Sequence, residues 1–201
     1  MKILITGFEP FDGETINPSW EAVKQLPDTV AGANLVKLRL PAAFTRSCDN
    51  LEDAVQALRP DVVLCVGQAG GRASVTVERV AVNLADARIP DNDGWRPEDR
   101  PLEPGGPAAY FATLPVRDMV QRVRAGGIPC HISNTAGTFV CNAVLYCALH
   151  LAATEYPDLR AGFIHVPYCL EQAATKSAAV PAMSLETTTR ALRLALEAVA
   201  S

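Results

Sequence analysis

Apolar positions along the chain fall into two periods that alternate from end to end. Residues 2–6 and the apolar face of 33–40 read as strands, with a short helix between them. That helix opens at Asn17-Pro-Ser-Trp-Glu21, where Asn17 can cap and Pro18 occupies the first turn. Leu51, Val55 and Leu58 carry a helical spacing across 44–58. Asp61-Val-Val-Leu-Cys-Val66 is a continuous apolar run of the kind a central parallel strand needs. Further helices are predicted near 116–125, 140–154 and 184–200, with strands near 129–133 and 161–166. The β-branched stretch 74–82 reads as one strand, paired antiparallel because the link from the previous strand is too short for a crossover helix. The alternation predicts an α/β protein, a three-layer α/β/α sandwich on a mostly parallel, partly mixed central sheet.

Composition narrows the function classes. With 201 residues, 49% of them hydrophobic, the chain is long enough for one well-packed catalytic domain over 1–201. The 22 acidic and 18 basic residues give a formal net charge of −4, without a basic stripe, so nucleic acid is not an expected partner. The first apolar run is too short for a signal h-region, and no apolar stretch reaches the ~20 residues that span a bilayer. A cytoplasmic location is the resulting expectation. The six cysteines, Cys48, Cys65, Cys130, Cys141, Cys147 and Cys169, form no CxxC pair, which argues against zinc and for reduced thiols.

Three irregular segments stand out between the predicted strands. Gly67-Gln-Ala-Gly-Gly-Arg72 follows the central strand but opens no helix, so it is neither a Walker loop nor a dinucleotide fingerprint, and no cofactor is expected. Residues 86–107 form a long stretch dense in Pro, Gly and Asp around Trp95, the composition of a lid, a binding loop or an interface. Gly7-Phe-Glu-Pro-Phe-Asp-Gly13 sets Phe8 and Phe11 on the turn after the first strand, as packing residues or as walls for a small flat ligand.

Candidate chemistry centres on Cys141 in Asn134-Thr-Ala-Gly-Thr-Phe-Val-Cys-Asn142. A glycine turn leading into an apolar helix places its sulfur at a helix N-terminus, where N–H groups and the macrodipole favour thiolate. Of the three histidines, His165 ends the strand pattern Ala161-Gly-Phe-Ile-His-Val-Pro167, and strand ends are where α/β sites assemble. Glu78, in Ser74-Val-Thr-Val-Glu-Arg-Val-Ala-Val82, is a carboxylate in apolar surroundings that could orient the imidazole. Each also has a plainer reading: a core thiol, a histidine satisfied by a backbone carbonyl, and an exposed glutamate paired with Arg79.

Six segments resemble the motifs of pyroglutamyl peptidase I, the pyrrolidone-carboxylate peptidases. They are Thr6-Gly-Phe-Glu-Pro-Phe-Asp-Gly13, Val66-Gly-Gln-Ala-Gly-Gly-Arg72, Ala87-Arg-Ile-Pro-Asp-Asn92, Gly105-Gly-Pro-Ala-Ala-Tyr110, Thr135-Ala-Gly-Thr-Phe-Val-Cys-Asn142 and Gly162-Phe-Ile-His-Val-Pro-Tyr168. The resemblance is collinear over nearly the whole chain. It implies a cysteine peptidase that removes an N-terminal pyroglutamyl residue from peptides through a thioester, with Cys141 as nucleophile, His165 as base and Glu78 as orienting acid. It further implies a lactam pocket walled by Phe8, Phe11, Ile89, Phe139 and Val140, polar recognition by Gln68 and Asn17, and Arg88 on the oxyanion side. Ala42 departs from the family pattern, which has threonine after this Pro41. A homo-oligomer, dimer or tetramer, is expected by the same resemblance, with residues 86–107 at its interface. Two other readings stand beside it: a nucleoside-phosphorylase-like enzyme using Arg72 and Arg88 for phosphate, and a binding module that keeps the pocket without turnover.

Overall fold

A computed structural model describes all residues 1–201. The chain order is β1 (Lys2–Phe8), α1 (Pro18–Gln25), β2 (Thr29–Val30), β3 (Ala33–Leu40), α2 (Phe44–Leu58), β4 (Val62–Gln68), β5 (Val75–Glu78) and β6 (Val80–Val82). It continues with β7 (Ala109–Phe111), α3 (Val116–Ala125), β8 (Cys130–Ser133), α4 (Val140–Thr154), β9 (Arg160–Val166), α5 (Leu170–Ala173) and α6 (Leu185–Ala200). Seven strands form one sheet in the order β2-β3-β1-β4-β9-β5-β8. Strands β3, β1, β4 and β9 run parallel, β5 is antiparallel to β9, and β8 is parallel to β5. The predicted mixed α/β/α sandwich is therefore the one observed.

The strands are buried on both faces, and their period of two divides the apolar residues between two cores. Ile3, Ile5, Val62, Leu64, Val66, Ile164 and Val166 face α1, α3 and α6, meeting Val23, Met119, Val123, Leu192 and Leu196. Leu4, Val63, Cys65, Ala161 and Phe163 face α2 and α4, meeting Leu51, Val55, Val144, Leu145 and Leu149. Helix α4 is apolar on nearly every side because the sheet, α2 and the β6–β7 ribbon all cover it. No helix is long and apolar enough to cross a membrane.

Local signals explain most helix starts. Asn17 caps α1 by accepting from Ser19 N–H at 3.1 Å, and Ser184 caps α6 by accepting from Thr187 N–H at 3.1 Å. Helix α2 follows Ala43, which has no capping side chain; Asp91 supplies the missing acceptor, taking the Phe44 N–H at 2.9 Å. The stretch 74–82, expected as one strand, divides at Arg79. Strand β5 stays in the main sheet, whereas β6 leaves it to pair with β7. The division has a cause in α4. Asn142 accepts from Val82 N–H at 2.9 Å and donates to Val82 O at 2.9 Å and Leu84 O at 3.1 Å, drawing the chain away from the sheet plane.

Residues 86–107 contain no helix or regular strand, only an isolated bridge between Ala85 and Arg100. They are pinned to the molecule all the same. Asn92 donates to Glu9 Oε1 and Pro10 O, and Trp95 packs edge-on against Phe44 at 5.2 Å.

Candidate active site

The site lies at the C-terminal ends of β4 and β9, on the sheet face covered by α4. Alternation along β9 puts Phe163 and His165 on that face, and the register pairs Gly67 with His165 and Cys65 with Phe163. Strand β5 runs the other way beside β9, with Thr76 opposite His165 and Glu78 opposite Phe163. The turn 134–139 then delivers α4 with Cys141 as its second residue. Three side chains far apart in sequence are thereby brought to one face: the end of β5 lies opposite Phe163, two residues before His165, and the start of α4 packs above the end of β4.

Glu78 and His165 form a buried pair. The imidazole Nδ1–H donates to Glu78 Oε1 at 2.8 Å, which leaves Nε2 as the free ring nitrogen. The carboxylate side chain is 0% exposed and the imidazole 4%. The same Oε1 accepts from Arg72 Nη1 at 2.6 Å, while Oε2 is buried without a partner. Glu78 is thus neither surface-exposed nor paired with Arg79, the alternative its sequence neighbourhood allowed. Burial alone would raise the Glu78 carboxyl, but hydrogen bonding and charge from His165, with help from Ser133 and Arg72, bring it below its ordinary value.

Cys141 Sγ lies directly above Gly67. A Cβ placed on Gly67 would come within 2.8 Å of that sulfur and 2.7 Å of the Phe163 ring, so a side chain at this position would displace the thiol. Because Gly67 is the register partner of His165, the sulfur sits in the column next to the imidazole, one strand spacing away. The surroundings of the sulfur work against the thiolate expected at the helix N-terminus. Burial, reinforced by Glu78 and Cys65, pushes the Cys141 thiol up to about 12 against the opposing influence of Arg72 and its own backbone N–H. Burial likewise lowers the His165 pKa, and Arg72 adds to this, despite the hydrogen bond and charge of Glu78 that favour imidazolium. Both shifts favour the uncharged thiol and imidazole.

The expected pocket residues are brought partly together. Phe11 and Phe139 lie 6.1 Å apart and Phe8 and Phe163 6.4 Å, giving an aromatic wall beside the sulfur. Phe139 is backed edge-on by Phe44 at 5.3 Å. Val140 is buried, Ile89 is half-buried, and Arg88 is exposed with no hydrogen-bond partner in the protein. Gln68 Oε1 accepts from Gln172 Nε2 at 2.9 Å, so its own amide nitrogen is the unpartnered end. Asn17 is spent inside the protein: beyond its cap it accepts from Ser19 Oγ at 2.7 Å and donates to Glu9 O at 3.0 Å, and it is 2% exposed. Ala42 is buried, and its N–H donates to Glu9 Oε1 at 3.1 Å.

Sequence reasoning gave Gln172 and Asp91 no role, and Arg72 only a phosphate-binding one. Arg72 is in fact committed to Glu78, Thr76 and the Thr135 carbonyl. Asp91 did lie in a quoted motif, but its target, Phe44 N–H, is 47 residues away. No group of three or more His, Cys, Asp or Glu side chains is placed to hold a metal ion. A cavity of about 430 Å³ between α2, α4 and residues 95–103 is lined by Phe44, Trp95 and Tyr146 but by neither Cys141 nor His165.

Comparison with known proteins places these features in context. The family model described as pyroglutamyl peptidase matches residues 1–201. A pyrrolidone-carboxylate peptidase of Levilactobacillus brevis is 53% identical over 99% of this chain and 97% of its own length. One from Thermococcus kodakarensis is 51% identical over 99% and 96%. The crystal structure of pyroglutamyl peptidase I from Bacillus amyloliquefaciens superimposes with a TM-score of 0.95 at 47% identity, covering 99% of this chain and 94% of that one.

Proposed function

The chain belongs to the pyroglutamyl peptidase family of cysteine hydrolases, and from that premise we propose that Cys141, His165 and Glu78 together hydrolyse the amide bond after an N-terminal pyroglutamyl residue. The observation that carries the assignment is the geometry at Gly67: the Cys141 sulfur rests above the register partner of a histidine whose other nitrogen is fixed by a buried carboxylate.

In this reading His165 Nε2 takes the thiol proton as Cys141 Sγ attacks the pyroglutamyl carbonyl carbon. Glu78, already ionised, stabilises the imidazolium as it forms and holds its tautomer. The Cys141 N–H, free at the first turn of α4, is placed to meet the developing oxyanion, with the unpartnered Arg88 guanidinium a second candidate. The imidazolium then protonates the departing amine, which leaves a thioester. Water, deprotonated by His165, cleaves it and restores the thiol. Because burial favours the uncharged thiol and imidazole, in this reading the proton moves to His165 as the sulfur attacks.

Selectivity follows from the aromatic walls at Phe8, Phe11 and Phe139. A lactam has no ammonium group, whereas an ordinary N-terminus must shed the hydration of its charge without a counterion, at a cost of several kcal/mol. The nucleoside reading loses one of its two phosphate ligands, since Arg72 is engaged with Glu78. The direct test is release of a fluorophore from a pyroglutamyl-amide and from an alanyl-amide by wild type and Cys141→Ser. Turnover confined to the pyroglutamyl substrate and absent in the variant is expected. Equal turnover of both substrates, or full activity without the thiol, would end this reading.

A further inference from the structure

We propose that Arg72 is the positioning residue that joins the two halves of the catalytic apparatus, aiming Glu78 at His165 while tying down the turn that delivers Cys141. The inference rests on the function proposed above. Arg72 Nη1 donates to Glu78 Oε1 at 2.6 Å and to Thr76 Oγ1 at 2.5 Å; Nη2 donates to the Thr135 carbonyl at 3.2 Å. Thr135 belongs to the turn that opens α4, and the turn is braced elsewhere only by short-range bonds and by Thr138 to Asp86. One guanidinium therefore spans from the acid on β5 to the lead-in of the nucleophile.

The Glu78 carboxylate shows why this span matters. His165 and Arg72 meet on the same oxygen, and the other oxygen has no partner. Beyond His165 and Arg72, Ser133 is the one other polar group acting on the carboxylate, so without Arg72 the group is held on fewer sides and can turn away from the imidazole. Residues 67–72 act as one strap: Gly67 at its start lies under the Cys141 sulfur, and Arg72 at its end grips the acid. A lysine would keep the charge, but a single ammonium cannot reproduce a planar fork that reaches a carboxylate and a carbonyl on separate elements.

Arg72 also sets the charge felt by the reacting pair. The titratable groups around His165 are Glu78 from β5, Arg72 from the strap, Cys141 from α4 and Cys65 from β4, and the neighbouring Thr76 and Phe163 are neutral. The arginine is the one fixed cation among them; it lowers the pKa of both His165 and Cys141. Its removal should therefore raise both.

The experiment compares wild type, Arg72→Gln and Arg72→Lys by kcat and KM for a pyroglutamyl-amide across pH, and by the NMR titration midpoint of His165 read without substrate. Arg72→Gln should lower kcat by about 10- to 100-fold with KM changed by less than about threefold. Its His165 midpoint and the acid limb of kcat/KM should both move up by roughly half a pH unit or more. Arg72→Lys should lose kcat while keeping the midpoint close to that of wild type. A residue that merely supported the fold would lower Tm and leave the His165 midpoint where it was. An unshifted midpoint in Arg72→Gln, or kcat within about twofold of wild type, overturns the proposal. If Arg72→Gln does not fold, Arg72→Lys decides: loss of kcat at an unchanged midpoint supports the role, and wild-type kcat refutes it. Wild type without turnover would instead refute the proposed reaction, while the substrate-free midpoint would still judge Arg72.

Discussion

A single missing methyl group determines where the nucleophile sits. With Cys141 Sγ 2.8 Å from the position a Gly67 Cβ would take, Gly67→Ala has to push the sulfur or the Phe163 ring aside. Misplacing a reacting atom by about 1 Å costs on the order of 100-fold. We expect that loss in kcat/KM, with a far smaller change in Tm, as steady-state kinetics and thermal melts would show. Glu78→Gln keeps the shape of the acid but withdraws the charge that stabilises imidazolium. Its kcat should fall about 100-fold or more. Because Glu78 raises the His165 pKa, the acid limb of the remaining activity should move to lower pH, the reverse of the shift expected at Arg72. In wild type the depressed His165 should place that limb below the ordinary histidine value of about 6.5. A pH profile of kcat/KM checks both signs, and a limb above that value would contradict the burial argument.

At the level of elements, loop and helix depend on each other through Asp91. This carboxylate accepts from Phe44 N–H at the start of α2 and from Asp93 and Trp95 within its own loop, so it caps a helix and folds a turn at once. Asp91→Ala should cost about 1–2 kcal/mol in a denaturant titration. It should also raise KM more than it lowers kcat, because Phe44 and Trp95 back the Phe139 wall and not the reacting atoms. The approximate span of α2 was legible, since Leu51, Val55 and Leu58 mark a helical stripe. The three residues proposed for catalysis were singled out by chemical type and by their places at a helix start and a strand end. What stayed hidden was short or non-local. Strands β2 and β7 and helix α5 have four residues or fewer, too few to display a period. The break at Arg79 depends on Asn142, about 60 positions away in the chain, and the commitment of Arg72 depends on a carbonyl at Thr135. Asn17 shows the opposite limit: its sequence suited both a cap and a recognition group, and the structure uses its atoms for the cap.

Over the whole molecule, one sheet separates two cores, and both rest on the same strands. Leu64 points to the α1, α3 and α6 side, and Leu145 of α4 packs on the other. Leu64→Ala and Leu145→Ala should each cost about 2–5 kcal/mol. If residues 1–201 form a single domain, both should lower one shared unfolding midpoint; two separate transitions by circular dichroism and calorimetry would argue for two units. The position of β9 has a further consequence. It is the last strand of the chain, yet it lies between β4 and β5 in the sheet, with three strands formed from earlier sequence beyond β4 and one beyond β5. During synthesis the ribosome releases every other strand first, so the emerging polypeptide carries an open slot at the centre of its sheet. His165 is in the strand that fills that slot. In the proposed mechanism the enzyme therefore lacks its base until the strand that carries His165 has been made.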